Sequence, residues 1–516
     1  MFYNTQKWAK DFFFFPFFLL LFLANISFAS TNQNELTLSI SSNPSRINPI
    51  LATDSASGEI AGKIFNGLFK YDKDGNIVGD LAKSYRFITP TKLKIKLRKN
   101  ILWSDKVPFS AKDVIFTYNT LMDKNIYTPY KTPFLKIKSI HQLDKYNIEI
   151  NYKEPYFKAL NIWMMGILPY HILKDEKNLM TSKFNKHPIG TGSYTLQSFT
   201  TSKDIILKSN QNYFKEKAKI PTIRYKFIPD PNTAFTLLKQ NKLDMDGLTP
   251  LQLDRQLPKD FNQHFTIYEQ PSFGYTYLGF NLKSKKFKNK KIREAISLAI
   301  DKQQIVNILF LSHGKPCNGP FLPNSFAYND KIKLQKPNIK KAKRLLKELG
   351  YDNKHRFSFT VITNANNSLR VNATQIIQYQ LQKVGIDMNI RVLEWQAFLN
   401  TVVMPKRFEA VVLGWGLSLM PDARSIWHSK SYKKGGFNFI GYSNKIVDRD
   451  IELAEKTTDF KKIEKLYKEI FKQIVKDIPY IFLYIPNNIT AISKDIKNVS
   501  PSIIGITHNQ NNWIKE

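Results

Sequence analysis

Segments with a two-residue hydrophobic period alternate with segments of helical period along nearly the whole chain, and that alternation restricts the fold to mixed α/β units. Leu36 to Ile40, Leu93 to Leu97 and Ile148 to Tyr152 place an apolar residue at every second position, as a strand with one buried face requires. Further strands read near Ile205 and Ile223, at Gly274 to Asn281, Phe357 to Ile362, Ile386 to Val392 and Val411 to Leu413, and as two separate pieces at Tyr480 to Tyr484 and Asn488 to Ile492. Helices fall between them. One carries Ile60, Ile64 and Leu68 on one face; another carries Val114, Tyr118 and Leu121 behind the capping-box variant Ser110-x-x-Asp113. Asn338 caps a third, with Ala342, Leu345, Leu346 and Leu349 inward and Gly350 at its end, and Phe460, Ile463, Tyr467, Ile470 and Ile474 line a fourth. With 516 residues the chain exceeds a single core, so two or three lobes are expected.

The amino terminus points to export. Lys7 and Lys10 precede an apolar run, Phe12 to Ala24, which Pro16 interrupts; Ser27-Phe28-Ala29 then forms a small-x-small cleavage site. Residues 1–29 therefore read as a secretory signal peptide, with a mature protein free in a periplasm. The single cysteine, Cys317, lies far from that cleavage site, so it offers neither a lipid attachment point at the mature terminus nor a disulfide within the chain. The formal charge of +35 is spread as lysines among Asn and Ile rather than gathered in an arginine-rich arm. It reads as a compositional bias of the source proteome, with no nucleic-acid partner expected.

The stretch Val411 to Ser429, VVLGWGLSLMPDARSIWHS, is where a ligand is expected. Gly414 and Gly416 flank Trp415 at the end of a β-branched run, so backbone and indole can approach a ligand together, with Ser418 and Asp422 in reach as polar groups. Catalytic contexts are lacking. The 8 histidines are dispersed, and leucines flank Ser418 where a serine nucleophile would need a sharp glycine elbow. The loop Pro188 to Tyr194, PIGTGSY, has neither the lysine nor the glycine spacing of a phosphate cradle. A binding protein without cofactor or metal is expected rather than an enzyme.

Taken in order, INPILATDSASGEIAGKIFNGLF from Ile47, GDLAKSYRF from Gly79, WSDKVPFSAKDVIFTYN from Trp103, PIGTGSY from Pro188, LGFNLKSKKFKNKKIREAISLAIDK from Leu278 and GWGLSLMPDARSIWHS from Gly414 carry a resemblance. The chain resembles the extracellular solute-binding proteins of ABC importers, in the family of dipeptide- and oligopeptide-binding proteins. The resemblance implies a type II periplasmic binding protein of the large, three-domain cluster: two mixed α/β lobes around a two-crossing hinge, plus an inserted domain. Domain I would comprise 30–74, 188–281 and 490–516, domain II 75–187, and domain III 282–489, with crossings near Asn281 and Pro486. Domain II does not touch ligand in most such proteins.

In the peptide binders of this family, the backbone matching Asp54, Ser55 and Ser57 pairs with the ligand main chain like an added strand. The position matching Ser418 is an Asp that holds the ligand ammonium in dipeptide binders, and Thr363-Asn364 stands about where a carboxylate-binding Arg is found; Arg370 follows on the next helix. Tyr277, Trp395 and Trp415 are then the expected pocket walls, with Asp422 as a substitute for the ammonium clamp. The expected partners are a peptide or related polar solute and an inner-membrane ABC permease, and the expected state is a monomer. The same fold serves oligosaccharides and nickel complexes, and a sugar site would use Trp395 and Trp415 for stacking without charged clamps. A peptide hydrolase and a chaperone-like holder of unfolded segments are the remaining readings.

Overall fold

The strand Tyr480–Ser493 joins the two halves of the molecule. Before Pro486 it pairs antiparallel with Gly274–Phe280; beyond Pro486 it pairs with Phe265–Pro271 and with Met245–Leu248. Proline has no N–H to give a ladder, and here it sits where the strand changes partners. For that reason the two strand patterns read on either side of Pro486 are one continuous element. The computed structural model describes residues 34–323, 325–433 and 436–516, so the signal-peptide reading of 1–29 lies outside the described residues.

Through this strand, two half-sheets form one twelve-stranded sheet. The first lobe contributes Tyr194–Thr200, Asp204–Ser209, Thr222–Phe227, Glu35–Ile40 and Met245–Leu248 in that order; the second contributes Ile386–Leu393, Phe357–Asn364, Ala410–Gly416 and Gly274–Phe280. Every residue of Gly274–Phe280 is buried, because helices and loops cover both faces. Alternate side chains accordingly enter different cores: Tyr275 and Tyr277 pack with Val411 and Leu413, while Leu278 and Phe280 pack with Ala410 and Val412. The passage between half-sheets on this side falls at Ser272 and Phe273, just before that strand, rather than near Asn281.

A separate four-stranded sheet, in the order Ala82–Thr89, Lys92–Leu97, Asn147–Tyr152 and Ile137–Asp144, lies within 75–187. Its buried face carries Leu93, Ile95, Leu97, Ile148 and Ile150, and the helix Ala111–Met122 begins with the capping box formed by Ser110 and Asp113. This insert shares one continuous core with the first lobe, which makes the two a single packing unit. The second lobe contacts that unit at several points. Gln396 Nε2 donates to the Asn43 carbonyl at 2.8 Å, and Lys136 of the insert bridges Glu154, at 2.8 Å, to Glu455 of the second lobe, at 3.0 Å.

Candidate functional site

Pairing of Gly274–Phe280 with Ala410–Gly416 sets Tyr275 opposite Trp415 and Tyr277 opposite Leu413. The rings of Tyr277 and Trp415 stack at 6.3 Å, and Tyr480 lies 3.8 Å from Tyr277, accepting the Trp415 indole N–H at 3.3 Å. Phe439 stacks on Trp415 at 5.5 Å and Phe437 meets it edge-on at 5.3 Å. Trp415 stays half-buried, whereas Tyr277 is fully buried and supports the wall from behind. Of the two glycines beside Trp415, Gly414 is the one the packing requires. A Cβ there would lie 2.9 Å from Arg370 Nη2 and 3.2 Å from the Tyr275 carbonyl.

The aromatic wall reaches the amino-terminal loop through a residue of the insert. Tyr130 meets Phe437 edge-on at 6.1 Å, and its hydroxyl donates to the Ala52 carbonyl at 2.6 Å. Burial, reinforced by the Asp54 carboxylate, pushes the Tyr130 phenol up to about 12, so it remains a donor. Asp54 itself caps the helix Ser55–Ile64: its carboxylate accepts from the Ser57 N–H at 2.9 Å, the Ser57 hydroxyl at 2.7 Å and the Ser45 hydroxyl at 2.5 Å. Ser57 is buried in this network and Ser55 is exposed. Both serines lie in the first helical turn, so extended backbone fit for strand-like pairing ends at Asp54 (φ −114°, ψ 158°).

Trp395 opens the short helix that Glu394 caps, packs 6.3 Å from Phe398, and precedes the Gln396 that touches the first lobe. Its indole N–H is buried with no acceptor among the described residues. Arg370 is in a similar position. Its Nη1 donates to Asn364, its Nε has no partner, and no carboxylate among the described residues lies within ion-pair distance. Burial lowers its pKa, opposed by Tyr484 and Tyr277 nearby. Thr363 does not reach out: its hydroxyl is tied to the Val412 carbonyl at 2.9 Å.

Ser418 and Asp422 have different surroundings. Ser418 is exposed, its hydroxyl turned back on the Met420 carbonyl at 2.5 Å. Asp422 caps the helix Ala423–Trp427, accepts from Ser425, and receives the Lys158 ammonium of the insert at 3.1 Å. Burial alone would raise its pKa, but Lys158 and Ser425 hold it below the ordinary carboxylate range, so the charge persists. The cation that Asp422 meets is thus one from this chain. The structure brings Tyr277 and Trp415 together, links them to the Asp54 loop through Tyr130 and Phe437, and leaves Ser418 outside that group. Tyr130, Lys158, Phe437, Phe439 and Tyr480 went unread in the sequence. The first two come from the insert, far along the chain from the residues they meet.

Two lobes joined by a strand that crosses between them, in contact around an aromatic wall and two unpartnered buried donors, define a protein that holds a solute between its halves. Residues 76–437 match the model of the bacterial extracellular solute-binding proteins, family 5, and the chain belongs to that family. Among its relatives, the oligopeptide-binding protein AppA of Bacillus subtilis is 31% identical over 473 residues, covering 88% of this chain and 86% of that protein. The structure of that protein with a nonapeptide superposes with a TM-score of 0.88 at 29% identity, covering 93% of this chain and 99% of that one. NikZ from Campylobacter jejuni with Ni(L-His) gives 0.84 at 28% identity, covering 94% and 100%, and DppA from Helicobacter pylori with the peptide STSA gives 0.84 at 26%, covering 93% and 98%. Among the described residues, no helix is long and apolar enough to cross a membrane.

Proposed function

We propose that this chain is the periplasmic receptor of an ABC importer, a monomer that captures peptides by closure of its lobes and delivers them to an inner-membrane permease without chemical change. The observation that carries the reading of a solute rich in acceptor groups is the pair of unsatisfied donors, Arg370 Nε and Trp395 Nε1, the latter beside the Gln396 that touches the first lobe. A buried donor without an acceptor costs about 1–3 kcal/mol, which a peptide carbonyl or carboxylate relieves. The AppA and DppA relatives hold peptides in the same fold, in keeping with this reading. Trp415 forms the wall against which a side chain of the peptide rests, with Tyr277 behind it and Trp395 at the second-lobe edge. Asp54, Ser55 and Ser57 border the first-lobe side, and Ser418 lies on the rim.

In this scheme Asp422 engages a ligand ammonium only by exchanging it for Lys158, so a free peptide amino terminus is not the dominant anchor. Domain II (75–187) and the first lobe, 30–74, 188 to Ser272–Phe273 and the chain beyond Pro486, move together as their shared core requires, and domain III, from Gly274 to Pro486, moves against them. The limits at 281 and 489 expected for the division into domain I (30–74, 188–281, 490–516), domain II (75–187) and domain III (282–489) shift accordingly. The signal peptide is removed after Ala29, and intact mass of the exported protein then begins at Ser30. Titration calorimetry with an oligopeptide mixture, Ni(II)-histidine and maltooligosaccharides separates the readings. Heat with peptides alone supports the proposal; heat only with the nickel complex or the sugar rejects it.

A further inference from the structure

The outer face of the insert carries positive charge that solute capture does not use. Lys96 projects from the exposed face of Lys92–Leu97, opposite Ser84, and Lys83 lies at the irregular step between Ala82 and Ser84. Arg98, Lys99 and Asn100 follow, with Asn100 in the left-handed region (φ 61°) turning the chain away. Together with Leu97, and with Phe214 from the first lobe, these residues line an open cavity of about 500 Å³ at the junction of insert and first lobe.

The cations around this cavity outnumber the anions. Lys215 sits over the Phe214 ring at 5.1 Å and pairs with Asp80, which is buried. Arg98 is held by its Nε, which donates to the Asp80 carbonyl at 2.8 Å, leaving its Nη groups with no partner among the described residues. The side chains of Lys83 and Lys96 have neither a hydrogen bond nor an ion pair among the described residues, and Lys99 lies 5.9 Å from the Tyr146 ring within electrostatic reach of the Asp144 carboxylate. Five cationic side chains thus gather around two carboxylates, Asp80 paired with Lys215 and Asp144 acting on Lys99. Burial and the repulsion of Lys70 and Arg98 depress the Lys215 pKa despite its pairing with Asp80. Such a cluster is stabilised by a multivalent anion, and a guanidinium anchored through Nε presents its remaining N–H groups to such an anion.

We propose that this cavity is a binding site for phosphate groups, separate from the solute site and independent of what the solute is. A free oligophosphate and the headgroup of an anionic phospholipid share this chemistry. In the second case the insert would rest against a membrane surface. The test uses the full mature protein, with inorganic pyrophosphate in calorimetry and with vesicles of phosphatidylcholine, with and without phosphatidylglycerol, in cosedimentation. The site variant is Lys83→Glu/Lys96→Glu. The control is Lys340→Glu/Lys343→Glu, exposed positions of the helix Ile339–Glu348 in the second lobe with the same change in charge. Thermal melts establish that both variants remain folded. At least one probe is expected to bind, with about tenfold weakening in the site variant and less than about twofold in the control. Binding of pyrophosphate identifies a soluble ligand, and binding of phosphatidylglycerol vesicles alone identifies a headgroup. The proposal is overturned if neither probe binds, or if the control loses as much as the site variant, since the overall charge of +35 would then account for the attraction.

Discussion

Replacing Asp422 by Asn removes the paired counter-charge of Lys158 while keeping the shape of the side chain, and leaves Glu455 as the remaining carboxylate that acts on the ammonium. The Lys158 side chain retains only 7% of its exposure, and Asp422 retains 33%. Loss of one partner from a fully buried pair costs about 3–5 kcal/mol, because the remaining ion stays out of water without compensation. The partial exposure of Asp422, the Glu455 carboxylate and the nearby Phe157 ring, 5.4 Å from the ammonium, reduce this, and we expect about 2–3 kcal/mol. Lys158→Met/Asp422→Asn should recover more than half of that loss, since neither charge then needs a partner. The assay is urea unfolding at pH 7 of the wild type, both single variants and the double variant. Because the Asp422 pKa is depressed, its contribution is present above the ordinary value of 3.8 and disappears as pH falls through the lower folded value. An Asp422→Asn variant within about 0.5 kcal/mol of wild type, or a double variant no more stable than Asp422→Asn, would refute the reasoning.

Three further outcomes are expected. Trp415→Ala should weaken solute binding by about 10- to 100-fold in calorimetry, as an aromatic contact of about 1–3 kcal/mol requires, and should also lower stability by about 2–3 kcal/mol in urea unfolding, because the indole packs on Phe437 and Phe439. His313 lies between Glu269 at 2.9 Å and Asp254 at 3.1 Å; burial lowers its pKa, but these carboxylates raise it further, to above 6.5 overall. Its contribution is therefore complete below pH 6.5 and lost as pH rises through the folded value, so stability should drop by about 0.5–1 kcal/mol between pH 6 and 9 in wild type and not in His313→Gln. Burial pushes the Cys317 thiol up to about 11, so a thiol reagent at pH 8 should label the native protein slowly and the urea-unfolded protein at once.

Local patterns in the sequence carried most of the strands and helices, since a period of two or of 3.6 needs only neighbouring residues. Ser110 and Asp113 form the expected box, and Gly350 and Gly385 end their helices in the left-handed region. The strand through Pro486 was misread as two because the role of that proline depends on a change of partner strands, which no local window contains. The two glycines made Trp415 legible as a ring at the end of its strand, and the structure stacks that ring on Tyr277 and Phe439; its contact with a solute is the part that is proposed. Tyr130 and Lys158 were not, because each acts on a residue brought near only by folding: Ala52, 78 positions away, and Asp422, 264 positions away. Asp422 shows the converse limit, a carboxylate readable as a free clamp until its cation appears from another unit.

The central claim, capture of a peptide between the lobes, is tested most directly by native mass spectrometry of protein exported to a periplasm and purified without denaturation. The expected result is a complex whose excess mass disperses on activation into peptides, and loss of that excess in an Arg370→Met variant that keeps its fold. An excess that is a nickel complex or a carbohydrate would contradict it, as would peptides retained undiminished when Arg370 is replaced.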